Sequence, residues 1–234
     1  MWSSNDGGRG SSPRAQSNAR QEMTKMKIAI IGTGNIGHGL ASVLAGTGHP
    51  VVVSDRAGGT AAAAKLAEAG ATVTAADIAT AVSGADLVIL ATPFGAFDSI
   101  AAVADFAGKT VIDVSNPITE DFSGLSIGHS TSAAEDIARG LPGATVVKAF
   151  NTVFAQHYAT GLSVGGRPVQ TFVAADDAAA RATVIALAGE IGIEAIDAGP
   201  LKNARYLEPL GFLNITFGYI LGRGTDIAPA WLSK

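Results

Sequence analysis

Lys27 to Leu40 reads KIAIIGTGNIGHGL, and the reading of this stretch decides the fold. KIAIIG is a short apolar run of the kind that forms a buried strand. The stretch NIGHGLASVLAGTG behind it spaces Ile36, Leu40, Val43 and Leu44 along one helical face. Between the two lies Gly32-Thr33-Gly34-Asn35-Ile36-Gly37, which fits G-x-G-x-x-G. A lone match to that pattern says little, but a match between a strand and a helix carries a mechanism. Gly32 makes the tight turn, Gly34 lets the backbone approach a pyrophosphate, and Gly37 lets helix and strand pack closely. The amides of Thr33 to Ile36 then open toward an anion at the start of the helix.

Working outward, the same alternation continues. VVVS (51–54), ATVT (71–74), ADLVILAT (85–92) and TVIDVS (110–115) read as strands, each followed by a helical or loop segment. Ala-rich AAAAKLAEAG is a helix ending at Gly70, a natural residue for the turn beyond a helix end. AADIATAV is a short helix and FGAFDSIAAVA (94–104) another. The strands are continuous apolar blocks, as in a parallel sheet covered on both faces. After Asn116-Pro117 a loop runs to about 130, and Ser132 with Glu135 forms a capping box opening SAAEDIARG. ATVVKAF (144–150) is a sixth strand. PVQTFVAA, the helix DAAARATVIALAGEIG, the strand EAIDAG and a last helix from about 203 follow, with Pro209 expected to kink or restart that helix.

This pattern predicts an α/β, doubly wound parallel-sheet Rossmann fold with a small C-terminal αβ extension. Residues 1–25 lack an apolar block and read as a disordered extension, 26–150 as the dinucleotide-binding domain, and 151–234 as the extension that completes an acceptor cleft. The longest late apolar run, FLNITFGYIL (212–221), is half the ~20 residues a membrane span requires. A net charge of -4 with 15% charged residues argues against a nucleic-acid or anionic-membrane partner. The absence of cysteine excludes disulfides, thiolate metal sites and thiol catalysis, and suits a cytoplasmic protein. Ala- and Gly-rich helices would let subunits pack as a homodimer, though no residue pattern specifies one.

The second strand ends in Ser54-Asp55-Arg56, about 20 residues past the glycine loop, where an adenosine ribose belongs. An Asp there accepts from ribose hydroxyls and favours NAD, whereas Arg56 suits the 2′-phosphate of NADP; on charge alone the choice is even. Ala91-Thr92-Pro93 and Ser115-Asn116-Pro117 lie at the carboxyl edge of the sheet, where ligands of open α/β sheets bind.

These loops, with VVKAFNTVFA (146–155) and above all DAGPLKNARYLE (197–208), resemble the NADP oxidoreductases dependent on the deazaflavin coenzyme F-420. The same domain precedes the membrane part of the six-transmembrane ferric reductases. The resemblance extends over about residues 26–222. It implies a hydride passed between a nicotinamide and a second flat ring, coenzyme F-420 or FMN/FAD, held in one cleft. Such a step requires no side-chain acid or base, because the chemistry belongs to the cofactors. The protein holds the reacting carbons about 3–3.5 Å apart. By this resemblance Thr33, Gly34, Asn35 and Ile36 hold the pyrophosphate, and Ser54, Asp55, Arg56 and Thr60 sit by the adenosine. Ala91, Thr92, Pro93, Asn116, Pro117 and Ala149 flank the nicotinamide. Phe150, Asn151, Thr152 and Leu207 face the acceptor, with Leu207 leading the helix that covers its pocket. Two features depart from the family pattern: Asp55 stands where a small or hydroxyl residue is usual before the Arg, and the loop after the fifth strand is short.

Other classes fit less well. GLSIG (124–128) and GLSVG (161–165) match G-x-S-x-G but lack the strand-turn-helix frame of a nucleophile elbow. His38, His49, His129 and His157 show no metal-ligand spacing, and His38 is expected to be a surface or packing residue of the first helix. A hydroxyacid dehydrogenase would use Lys148 as acid/base, and a non-catalytic dinucleotide sensor would have no acceptor site.

Overall fold

The computed structural model describes residues 25–232. The expectation of a disordered segment at residues 1–25 therefore falls, but for Lys25, outside the described residues.

Six parallel strands form the central sheet. They are β1 (Ile28–Ile31), β2 (Val51–Ser54), β3 (Thr74–Ala75), β4 (Leu87–Leu90), β5 (Thr110–Asp113) and β6 (Thr145–Lys148). Their order is β3-β2-β1-β4-β5-β6, so the chain winds outward in one direction from β1 and then returns to wind in the other. The order reverses between β1 and β4, and a cleft opens there at the carboxyl edge. This is the doubly wound Rossmann arrangement that the apolar blocks predict.

Alternate residues of each strand serve opposite layers. Ile28, Ile30, Val51, Val53, Leu87, Ile89 and Ile112 pack on α1 (Asn35–Ala45), α2 (Thr60–Glu68) and α7 (Ala178–Glu190). Ala29, Ile31, Val88, Leu90 and Val111 pack on α3 (Ile78–Gly84), α4 (Phe97–Ala101) and α5 (Ala133–Gly140). Both faces are covered, which is why the strands carry no polar alternation. Each fully buried Ile or Leu contributes about 1.5–3 kcal/mol.

The C-terminal third adds α6 (Ala155–Thr160), the hairpin β7 (Ser163–Val164) and β8 (Arg167–Pro168), then β9 (Gln170–Val173) and β10 (Glu194–Asp197). β9 and β10 pair in parallel, and β9 joins the main sheet through an antiparallel bridge between Lys148 and Ala174. Val169, Val173, Val184 and Leu187 share one buried cluster with Leu40 and Val53, so this part shares a core with the first half. A 3-10 turn (Leu201–Asn203) leads into α8 (Ala204–Ile215), which ends in a π turn (Thr216–Ile220). Among the described residues no helix is long and apolar enough to cross a membrane.

Two expectations are corrected, and two short elements are additions. FGAFDSIAAVA forms a 3-10 turn and only five residues of α-helix, with Gly95, a poor helix former, inside the first turn. Pro209 does not restart the last helix: α8 runs through it and changes pitch only at the π turn beyond. α6 and the β7–β8 hairpin, too short to carry a hydrophobic period, were not predicted.

Candidate functional site

The glycine loop is built by close contact. Gly32 has φ +106°, and a Cβ there would lie 2.4 Å from the Ala91 carbonyl oxygen. A Cβ at Gly37 would lie 1.9 Å from the Gly32 carbonyl oxygen, so helix and turn touch backbone to backbone. Gly34 differs from both: nothing lies within 4 Å of its Cβ position. The space in front of Gly34 is open, and it borders a cleft.

That cleft, about 360 Å³, lies at the carboxyl edge between the ends of β1, β4, β5 and β6 and the far end of α8. Gly34, Asn35 and Ile36, Ala91 to Pro93, Asn116, and Phe150 to Thr152 all line it. Its lining contains no Asp, Glu, Lys, Arg or His, and Tyr219 is its one ionisable residue. Three residues that line it carry buried polar atoms with no hydrogen-bond partner among the described residues: Ser115 Oγ, Asn151 Oδ1 and Thr152 Oγ1. Each of these atoms is almost without accessible surface, so none is a free contact for a ligand in the cleft. Phe150, which lines the cleft, has φ +59°, a conformation a bulky residue rarely adopts. Its amide donates to Thr171 Oγ1 (2.7 Å), which holds the bend. Backbone outliers of this kind gather at functional sites.

At the adenosine end, Asp55 is committed to its own loop. Its carboxylate accepts from Thr33 Oγ1 (2.7 Å), Ala57 N (2.8 Å) and Gly59 N (2.9 Å). The Thr33 hydroxyl, then the Gly59 and Ala57 amides, hold its carboxyl below the usual carboxylate range. Arg56 is exposed and makes no hydrogen bond or ion pair with any described residue, and Thr60 opens α2 at the surface. Ser54 is wholly buried with its hydroxyl unpaired, and its carbonyl accepts from Gly32 N (2.8 Å). A second groove of about 540 Å³ runs from Thr33 to Asn35 between α1, α2 and α6, with His38 on its wall.

Three expected site residues lie elsewhere. Ala149 is fully buried in the core behind the cleft. Pro117 is buried too, its carbonyl accepting from the Ser126 amide and hydroxyl (2.7 and 3.0 Å). Leu207 does not cover the cleft: its side chain packs on Phe172 and Ala174 on another side of α8. The parts of the last helix that reach the cleft are Gly211, Asn214 and Ile215, with Tyr219 on the π turn.

The DAGPLKNARYLE segment anchors this helix. Arg205 grips the Glu135 carboxylate with two bonds (2.8 and 2.7 Å). Glu208, 1% exposed, accepts from Lys148 Nζ (2.8 Å) and from the Ala133 and Ala134 amides that open α5 (2.9 and 3.2 Å). Lys148 also donates to Asp113 Oδ2 (2.7 Å) and the Ser115 carbonyl (2.5 Å). The Leu207 carbonyl accepts from Asn151 Nδ2 (2.8 Å), and Asn151 pairs with Asn116 (2.9 Å). Asn214 Nδ2 donates to the Thr152 carbonyl (3.1 Å). A Cβ on Gly211 would lie 2.6 Å from Asn116 Oδ1, so glycine is what lets the helix close on these amides. Sequence reading passed over this contact, although Gly211, Asn214 and Gly218 recur at helical spacing on one face.

The same geometry disposes of two rival classes. Lys148 is sealed from solvent, bound to three oxygens and absent from the cleft wall, so it is no acid/base for a hydroxyacid dehydrogenase. Ser163 lies in a two-stranded hairpin and Ser126 in a loop bonded to Pro117, so neither is a nucleophile elbow.

A glycine loop between β1 and α1, a cleft at the topological switch and a charge-free wall define the class: a dinucleotide-binding α/β oxidoreductase. The family model described as "NADP oxidoreductase coenzyme F420-dependent" matches residues 27–117. A protein of Arthrobacter sp. FB24, described in its solved structure as a proposed F420-dependent NADP reductase, is 32% identical with a TM-score of 0.75. The match covers 86% of this chain and 96% of that one. A hypothetical protein from Sinorhizobium meliloti is also 32% identical, with a TM-score of 0.68 over 79% of this chain and 90% of its own. Metalloreductase STEAP3 of Rattus norvegicus is 34% identical over 187 residues, 79% of this chain but 36% of that protein. The chain thus spans about a third of this curated relative's length. The chain belongs to the F420-dependent NADP oxidoreductase family.

Proposed function

We propose that this protein passes a hydride between NADP(H) and a planar deazaflavin or flavin-type ring held in the same cleft. The observation that carries the reading is the cleft itself: a hollow of about 360 Å³ at the carboxyl edge, bordered by the open face of Gly34 and lined without a charged side chain. Bound there, a nicotinamide would supply hydride-transfer chemistry with a second ring held in the same cleft, any proton being exchanged with solvent. The residues then have binding work only. Gly34 to Ile36 present amides to the pyrophosphate. Thr92, Pro93 and Asn116 restrict how the nicotinamide ring can lie.

The nucleotide in this reading is NADP rather than NAD. Asp55 uses three of about four acceptor positions on its own loop, which leaves little for ribose hydroxyls. The exposed Arg56, with Thr60 beside it, suits a 2′-phosphate. Mixing the protein with NADPH or NADH and a panel of deazaflavin, FMN, FAD and ferric chelates, and following loss of nicotinamide absorbance, tests both halves. Turnover with a flat-ring acceptor and preference for NADPH are the expected outcomes. Tight nucleotide binding without turnover on any acceptor would leave a dinucleotide sensor instead.

A further inference from the structure

The cleft lining includes an apolar and aromatic group toward the end of α8, formed by Ile215, Phe154 and Tyr219. Tyr219 is 56% exposed although its ring borders the cleft. It stands on the π turn, a geometry that often marks functional positions. The ring is fixed at two points. Phe154 meets it in a T-shaped contact at 5.4 Å, and its hydroxyl accepts from Gln156 Nε2 at 3.0 Å. The turn below is pressed onto the same Phe154, since a Cβ on Gly218 would lie 2.8 Å from the Phe154 ring. A T-shaped pair occupies at most one face of the tyrosine, and the exposure shows that much of the ring remains free.

We infer that Tyr219 is the acceptor-binding shelf: its free face stacks on a planar conjugated ring and selects such rings over compact acceptors. The inference rests on the hydride-transfer reading and deepens it by naming the residue that chooses the acceptor. A side chain already held by Phe154 and Gln156 loses little rotamer freedom when a ring settles on it, which favours a stacking role. Because the ring is largely exposed, its removal leaves no core cavity.

The test is a binding titration on the full chain saturated with NADP+, following quenching of FMN and 5-deazaflavin fluorescence. Tyr219→Ala is expected to weaken ring binding about tenfold while the dissociation constant for NADP+ moves less than about twofold. Tyr219→Phe keeps the ring and restores binding. Equal ring affinity in Tyr219→Ala and the unaltered protein overturns the shelf and leaves the hydride-transfer reading standing. A parallel loss of NADP+ affinity also overturns it, because the residue would then shape the whole cleft. If the unaltered protein binds neither ring, the function proposed above falls, and the shelf with it.

Discussion

A side chain at position 34 and one at position 37 would meet opposite fates. Gly34 faces open space in an extended conformation, so Gly34→Val changes stability by under about 1 kcal/mol while filling the room a pyrophosphate takes. Nucleotide affinity should fall at least tenfold in a fluorescence titration, with the thermal midpoint nearly constant. Gly37→Ala drives a methyl into the Gly32 carbonyl and should instead lower the unfolding free energy by several kcal/mol, read by urea denaturation. Arg56 belongs to the same scale. Loss of a charge-assisted bond costs about 1.5–3 kcal/mol, so Arg56→Ala should weaken NADPH roughly tenfold or more and NADH hardly at all. Equal losses for the two nucleotides would remove Arg56 as the phosphate reader. The glycine triplet was legible because each glycine has a separate steric reason. The state of Asp55 was not, since its bonds to Ala57 and Gly59 depend on how the loop after β2 closes.

At the scale of the element, α8 is held by charge and presented to the cleft by glycine. Glu208 links it to Lys148 on β6 and to the first amides of α5, whose N-terminal dipole favours a carboxylate. Removing one partner of a buried ion pair costs about 3–5 kcal/mol, so Glu208→Ala should destabilise by that order in urea. Leu207→Ala should cost about 2–5 kcal/mol by leaving a cavity beside Phe172, and should not weaken the acceptor more than the nucleotide. A selective loss of acceptor affinity would place Leu207 back at the cleft. The Arg205 clamp gives a pH signature. The Arg205 guanidinium holds the Glu135 carboxyl below the usual carboxylate range, outweighing the opposing effect of burial, with a lesser contribution from the Ser132 hydroxyl. A lowered folded value means that the pair's stabilisation is complete above the unfolded value of about 4.3 and is lost as pH falls through the lowered one. Glu135→Gln should therefore flatten the acid limb of the stability curve below about pH 4.3 and reduce stability at neutral pH. The DAGPLKNARYLE segment was legible as a family signature, but its role was not. Its partners Glu135, Lys148 and Asn151 are distant in sequence, and no periodicity reveals a clamp closed across the fold.

At the scale of the whole molecule, the β-α alternation made the six-stranded sheet readable, because each buried strand must be apolar on both faces. The cleft floor followed from the rule that ligands sit at the carboxyl edge. Its far wall did not follow, since FLNITFGYIL shows an apolar stretch without showing which residues turn inward. Ser115 and Thr152 were readable as loop positions, but their unpaired hydroxyls are a property of the assembled fold alone. On the proposed function, the protein supplies position in place of proton donors: a stiff sheet edge, a clamped helix and a wall without charge. The central claim is that the hydride moves directly from one ring to the other. The most direct measurement uses NADPH carrying deuterium at the nicotinamide C4, prepared separately in each of its two stereochemical forms, with a 5-deazaflavin as acceptor. Mass spectrometry of the reduced deazaflavin should show the label retained from one form and absent from the other. Label that appears in solvent from both forms, or reduction without label transfer, would contradict the account.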